Sequence, residues 1–332
     1  MTHDLLDALV NRRRRVEPEM CRSFWDRLHD RQVDRAEAAA VLAALSTAMP
    51  DPATVTTVVA SLHERRPSHH HVFPAAVNIV GTGGGPRTAN ISTAAAFVAA
   101  STGVQVVKTG SRASSGGVGS INLLDRLGVS LTRSYDETAD QLHRFGIAFA
   151  GYFVYPTELT RLARTVLPLD LRTIGRWINT VGPFLADMPV SAQLTGVSDP
   201  THLPALRALA DAQPEKRFWL CSNELRADEL LSFTPNSVHG DRDFRMSPVG
   251  RGDLTGLAAA PDDDVVEHFL ELLAGRAPAA AVDTVCLNAA ALAVAAGREP
   301  GFPAALQAAR EAVSDGAALA LAERMRRVMA HG

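Results

Sequence analysis

The sequence predicts an α/β fold: a larger α/β domain with a mostly parallel central sheet, plus a small all-helical domain. Three observations lead there. The first 65 or so residues carry capped helical periodicity, the middle alternates short apolar runs with glycine turns and helices, and the C-terminal third is helical again. At about 150 residues per domain, the 332-residue chain makes two. These are a helical domain over 1–72, with a contribution from about 160–190, and an α/β domain over 73–332.

Each element has a local reason. Asp34 precedes RAEAAAVLAALSTAM, whose apolar residues recur at three and four spacing, and it can cap that helix. Asp51-Pro52 opens ATVTTVVASLHER with an acidic cap and proline at the first helical position. ERRPSHHHVFP is a polar connector, and its adjacent histidines (His69, His70, His71) read as a solvated loop rather than a metal site. Ala76 to Val80 is an apolar run that stops at glycines, which suits a buried strand. Asn90 to Thr93 leads into the helical AAAFVAAS, and Val104 to Val107 forms a second strand ending at Lys108. A Gly/Ser loop, Gly110 to Ser120, precedes the helix INLLDRLG. Further strands are expected at 147–150, 192–195 and 217–221, and helices at 265–274, 283–296 and 303–329.

Composition excludes several classes. With 46% hydrophobic and 21% charged residues, the chain has enough apolar surface to bury and is not disordered over most of its length. The most apolar stretches, Ala94 to Ala100 and Cys286 to Ala296, fall short of the ~18 to 20 residues of a membrane span. The opening MTHDLLDALVNRRRR places its basic cluster after the apolar residues, so it does not read as a secretion signal. Cys21, Cys221 and Cys286 are too far apart for a CxxC motif and fit a reducing cytoplasm. A net charge of −3 argues against nucleic-acid binding, and the Arg12 to Arg15 run reads as solvating the first helix end.

The chemistry concentrates in two loops. Gly81-Thr82-Gly83-Gly84-Gly85 lies between a strand end and a helix start, where amides and the helix dipole favour an anion. It fits neither GxxxxGK[ST] nor GxGxxG. The second loop follows Lys108, one of two lysines in the chain, and carries Arg112, several hydroxyls and several glycines. Two such loops on one sheet edge suit a ligand with two phosphate groups. Asp228-Glu229, in ADELLSF, reads on its own as a solvated helix start; beside a phosphate site a carboxylate pair suits Mg²⁺.

These segments together are recognisable. GTGG, NISTAAAFVAA and TGVQVVKTGSR, followed by LDRLGV, GIAFAGYFVYP, Arg172-Thr173, INTVGPFL, ADELLSF and VDTVCLNAAALAVAAGR, closely resemble the anthranilate phosphoribosyltransferase family nearly end to end. The resemblance implies transfer of ribose 5-phosphate from phosphoribosyl pyrophosphate to a small aromatic acceptor, with Mg²⁺. It implies that Gly81, Thr82, Gly84, Gly85, Thr88, Asn90, Ile91, Ser92 and Thr93 face the donor's diphosphate and ribose. Lys108, Gly110, Ser111, Arg112, Ser114, Ser115, Gly116 and Ser120 would hold phosphates of the same ligand. Ser92, Asp228 and Glu229 would bind the metal and, with Lys108, stabilise the transition state; Gly81, Thr109, Ser111, Tyr155, Leu159, Val166 and Arg172 would line the acceptor site. It further implies a site in a cleft between the domains and a homodimer formed through the helical domain.

The departures are informative. The family's GTGGD is GTGGG here, so Gly85 replaces a carboxylate and the loop is one residue shorter; Arg87 in that loop partly offsets lost positive charge elsewhere. KHGNR becomes Lys108-Thr109-Gly110-Ser111-Arg112, and Gly117 stands where a lysine is expected. Val166 occupies the place of the arginine that anchors the anthranilate carboxylate. The expected function is therefore a phosphoribosyltransferase, of secondary metabolism, acting on an aromatic or heterocyclic acceptor other than anthranilate. Genuine anthranilate phosphoribosyltransferase of tryptophan biosynthesis, a nucleoside phosphorylase and a non-catalytic ligand- or nucleic-acid-binding relative are the alternatives.

Overall fold

The computed structural model describes residues 3–12, 14–110 and 119–330, with the backbone but not the side chain of Arg172. The chain divides into two units. One comprises Met1–His70, Val154–Asp187 and Thr201–Pro214; the other comprises His71–Phe153, Met188–Pro200 and Glu215–Gly332.

The first unit is helical: α1 (Asp4–Asn11), α2 (Pro18–His29), α3 (Arg35–Thr47), α4 (Pro52–His63), α8 (Thr157–Thr165), α9 (Leu171–Ile174), α10 (Arg176–Leu185) and α11 (Leu203–Asp211). The Asp34 carboxylate accepts from the Glu37 amide at 2.8 Å and Asp51 from the Thr54 amide at 3.1 Å, so both caps form as the sequence predicts. Trp25 is buried, and its indole N–H donates to Ser61 Oγ at 2.9 Å. Helix α11 packs on α4, a return to this unit that the sequence pattern does not mark.

The second unit carries a seven-stranded sheet. Its strands are β1 (Phe73–Gly81), β2 (Gln105–Lys108), β3 (Ile147–Phe149), β4 (Val190–Gly196), β5 (Arg217–Asn223), β6 (Asn236–His239) and β7 (Phe244–Met246), in the order β3-β2-β1-β4-β5-β6-β7. The first five are parallel; β6 and β7, which the sequence pattern did not reveal, add an antiparallel edge. From β1 the chain steps outward to β2 and β3, then returns to β4 on the other side of β1. The strand order thus reverses between β1 and β4, where open α/β sheets form a ligand crevice at the carboxyl ends of the strands. Because β1 and β2 are parallel neighbours, the two glycine loops leave the same rim.

Helices α5 (Ile91–Ser101) and α13 (Ala279–Ala295) pack against each other and are apolar almost all round, so they lie inside the unit. Around them are α6 (Ser120–Leu127), α7 (Tyr135–Phe145), α12 (Val265–Leu273), α14 (Phe302–Ser314) and α15 (Ala317–Met329). The single helix expected over 303–329 is two, separated at Asp315–Gly316, where Gly316 takes φ +76°. The connector histidines also differ from the expected solvated loop. His69 lies 3.2 Å from Asp187 in the first unit; in the second, His71 lies 2.9 Å from Asp136 and stacks on Tyr135. No helix among the described residues is long and apolar enough to cross a membrane.

Phe97 on α5 is fully buried, with its ring centroid 5.4 Å from that of Phe149 and 5.9 Å from that of Phe269. Phe97→Ala is expected to cost about 3–5 kcal/mol through lost transfer energy and the cavity left behind. Urea denaturation checks this, and an unchanged midpoint would contradict the packing described.

Candidate active site

The turn after β1 is held by its neighbours as much as by its own glycines. The Thr82 amide donates to Gly196 O at 2.9 Å, its hydroxyl accepts from the Ser198 amide at 3.3 Å, and Ser198 Oγ donates to Gly83 O at 2.5 Å. Gly83 and Gly84 take φ +69° and +82°, the left-handed region that glycine enters without strain. Asn90 also adopts a positive φ, +52°, immediately before α5. Ile91 and Thr93 are buried, the Thr93 hydroxyl without a partner, while Ser92 is half-buried on the first turn of that helix. Sequence reading singled out this segment but missed Ser198, which lies beyond β4 and carries no local motif.

Asp228 and Glu229 are not the solvated helix start that ADELLSF suggests on its own. They lie in a bend after β5, and Glu229 is buried. Asp228 Oδ2 accepts from the Gly83 amide at 2.9 Å, and Glu229 Oε1 accepts from the Thr88 hydroxyl at 2.8 Å. The two sequence features therefore meet: the acidic pair sits on the glycine turn. Backbone shape makes room for it. A Cβ at Gly81 would stand 2.1 Å from Asp228 Oδ2, and one at Gly196 only 1.8 Å from the Asp228 carbonyl oxygen. At Gly85 it would meet the Arg226 carbonyl oxygen at 2.7 Å.

Two buried asparagines that sequence reading did not single out hold the bend. Asn223 Nδ2 donates to Glu229 O at 2.9 Å, and Asn288 Nδ2 to Leu230 O at 2.7 Å while its Oδ1 accepts from the Leu230 amide at 3.2 Å. A polar residue within the otherwise apolar VCLNAAALAVAA was the available signal for Asn288.

Lys108 ends β2 and is buried. Its ammonium donates to Ile79 O at 2.9 Å and approaches Thr109 O at 3.4 Å, so its described contacts are backbone carbonyls. Burial pulls its pKa down to about 8, against the opposing pull of the Asp228 and Glu229 charges. The same desolvation pushes Glu229 up to about 8, with the adjacent Asp228 charge adding to the rise, and pushes Asp228 upward as well. Gly110 packs against Ser120 Oγ, which lies 2.5 Å from where a Cβ would stand. Ser111, Arg112, Ser114, Ser115, Gly116 and Gly117 lie outside the described residues.

The expected acceptor residues fall on both units. Gly81 and Thr109 belong to the second; Thr109 is fully buried, its hydroxyl accepting from Asn78 Nδ2 at 2.9 Å. Tyr155, Leu159 and Val166 belong to the first. Val166 caps α8 and has no exposed surface, while Tyr155 and Leu159 are half-buried. Helix α8 ends at Thr165, so the residues beyond Val166 do not continue its face.

The acidic pair suits a hard divalent cation. Glu229 Oε2 is buried with no hydrogen-bond partner, and a carboxylate oxygen in that state gains from a cation ligand. Among the described residues no cluster of three or more His, Cys, Asp or Glu forms a closed cage.

In cation-free protein the raised Glu229 pKa has a definite sign. Between its ordinary value near 4.5 and the folded value of about 8, the native state retains a proton that the unfolded chain has lost. Stability is thus expected to fall as pH rises from 5 to 8, and Glu229→Gln to flatten that slope. Thermal melts in chelator across this range test it; parallel slopes for the two proteins would refute it.

Residues 74–319 match the family model described as glycosyl transferase family, a/b domain. The anthranilate phosphoribosyltransferase of Symbiobacterium thermophilum is 31% identical over 304 residues, 88% of this chain and 87% of that protein. Its counterpart from Thermomicrobium roseum is 32% identical over 329 residues, 89% and 92% of the two chains. The crystal structure of anthranilate phosphoribosyltransferase from Thermus thermophilus matches with a TM-score of 0.80 at 27% identity, over 99% of this chain and 100% of that one. The Saccharomyces cerevisiae enzyme in complex with PRPP and Mg has the same fold, with a TM-score of 0.80 at 17% identity over 99% and 97%. By sequence along most of its length, and by fold along nearly all of it, the chain belongs to the anthranilate phosphoribosyltransferase family.

Proposed function

We propose that this chain is a phosphoribosyltransferase that moves ribose 5-phosphate from phosphoribosyl pyrophosphate to a small aromatic or heterocyclic acceptor other than anthranilate. The observation that carries the reading is the meeting of the amide-rich turn at Gly81–Gly85 with Asp228 and Glu229 at the strand-order reversal. Similarity to anthranilate phosphoribosyltransferases along most of the chain supports the phosphoribosyl transfer in this reading, though not its choice of acceptor.

In this reading the donor's diphosphate takes the place of the carboxylates on the turn. The Gly83 N–H and Thr88 O–H, now donating to Asp228 and Glu229, become donors to phosphate oxygens. Asp228, Glu229 and Ser92 would hold Mg²⁺, which when bound supplies positive charge to the departing pyrophosphate. The C1–O bond breaks with its electron pair leaving on pyrophosphate, and C1 gains oxocarbenium character. Fixed amide dipoles stabilise the developing charge without reorganising. The acceptor's lone pair, held in line, forms the new bond to C1, and the acceptor atom then gives up its proton to the departing pyrophosphate or to solvent.

The choice of acceptor rests on Val166, buried and uncharged where the family pattern has an arginine. Removing one partner of a buried ion pair costs about 3–5 kcal/mol, or roughly two to three and a half decades of affinity. The identity of 31–32% with curated anthranilate enzymes favours the second reading, in which anthranilate itself is the acceptor.

Pyrophosphate release from phosphoribosyl pyrophosphate and Mg²⁺, measured across a panel of aromatic and heterocyclic acceptors, separates the two. Turnover with a heterocycle at least a hundredfold above anthranilate supports the first reading, and efficient use of anthranilate overturns it. Asp228→Ala with Glu229→Ala is expected to abolish Mg²⁺-dependent donor binding in calorimetry; unchanged binding would sink the metal assignment.

A further inference from the structure

The backbone pairing between β1 and β2 stops early. Its register pairs are Ala76↔Gln105 and Val77↔Val106, whereas β1 continues beside β4 as far as Gly81↔Gly196. Beyond Val77 and Val106 the two strands approach the rim from which both glycine loops leave. Two backbone groups there are served by side chains instead. The Lys108 ammonium, from β2, donates to Ile79 O on β1 at 2.9 Å. In the opposite direction Asn78, from β1, accepts from the Thr109 amide through Oδ1 at 3.1 Å. Each strand lends one side chain to close the other's open ladder.

Asn78 does more than fill a gap. A backbone N–H only donates, so the Thr109 amide fixes which way the Asn78 amide faces. Its Nδ2 then donates to Thr109 Oγ1 at 2.9 Å and to Gln193 Oε1 at 3.1 Å, and Gln193 Nε2 donates to Thr195 Oγ1 at 3.0 Å. All four side chains are at most 1% exposed. Thr109 is gripped at two points by one rigid amide, and the next residue is Gly110. Asn78 itself stands three residues before Gly81, the start of the first turn.

We propose that Asn78 is a positioning residue of the donor site: with Lys108 it splices β1 to β2 where their ladder ends, and so fixes Thr109 and Gly110 relative to the Gly81–Gly85 turn. This rests on the reading that both loops bind the phosphorylated donor. Asn78 acts through the loop root and does not touch the ligand. A donor that bridges both turns depends on their spacing, so the effect falls most heavily on donor affinity.

The test compares Asn78→Leu, Asn78→Asp and Gln193→Leu with the wild type. Donor affinity is read by calorimetry with phosphoribosyl pyrophosphate and Mg²⁺, and KM for donor and acceptor are measured separately. Asn78→Leu is expected to raise donor Kd and donor KM tenfold or more, and acceptor KM by less, because Thr109 is also an expected acceptor-site residue. Asn78→Asp keeps an oxygen for the Thr109 amide and is expected to recover part of that loss. Gln193→Leu removes buried hydrogen bonds but leaves the grip on Thr109, so its melting temperature falls while donor affinity stays within twofold of wild type. Should Asn78→Leu not fold, a donor Kd in Asn78→Asp above that of Gln193→Leu would support the splice, and the reverse order would overturn it. Wild-type donor affinity in folded Asn78→Leu, or an equal loss in Gln193→Leu, overturns the proposal. A wild type that binds no phosphoribosyl pyrophosphate overturns the donor reading itself, a result distinct from either.

Discussion

The site depends on one close approach: the backbone of Asp228 lying directly against Gly196 while its carboxylate lies against Gly81. With a Cβ at Gly196 1.8 Å from the Asp228 carbonyl oxygen, there is no space for any side chain. That contact brings the bend after β5 over the junction of β1 and β4, the two strands between which the connections diverge. From it follow the bond from the Gly83 amide, the burial of Glu229 and the mutual perturbation of Lys108 and the two acids. Asn223 and Asn288 hold the bend from the far side, so its position is set by buried hydrogen bonds to backbone rather than by ionic contacts alone.

The glycines in the turn thus do two jobs. Gly83 and Gly84 supply left-handed backbone, a local requirement visible in any glycine-rich sequence. Gly81 and Gly196 supply absence, a surface flat enough for another strand's loop to lie on. Only the first job can be read from the neighbouring residues. The second needs a partner far along the chain, and Gly196 in QLTGVS looks like an ordinary strand end.

The same distinction explains what else the sequence disclosed. Caps are decided within four residues, so Asp34 and Asp51 were legible, as was the apolar helix after Asn90. Strands β6 and β7 were not, because NSVH and FRM lack an apolar run and owe their pairing to the edge beside β5. ADELLSF has the composition of a helix start, yet tertiary packing folds it into a buried bend; the carboxylate pair itself suggested a metal beside a phosphate site, and the resemblance to a family strengthened that reading. The end of Lys108's strand was readable, but the carbonyl its ammonium meets was not. Asn78, one polar residue in AVNIV, gave no local hint that its amide would serve a neighbouring strand.

Gly85 carries a consequence for substitution. The resemblance puts an acidic residue there in a turn one residue longer, whereas here a side chain at that position would run into the Arg226 carbonyl at 2.7 Å. A side chain introduced at Gly85 would therefore meet backbone rather than solvent. The turn after β1 and the bend after β5 are thus keyed to each other, and room for a side chain at this point has to be made by moving the Arg226 backbone.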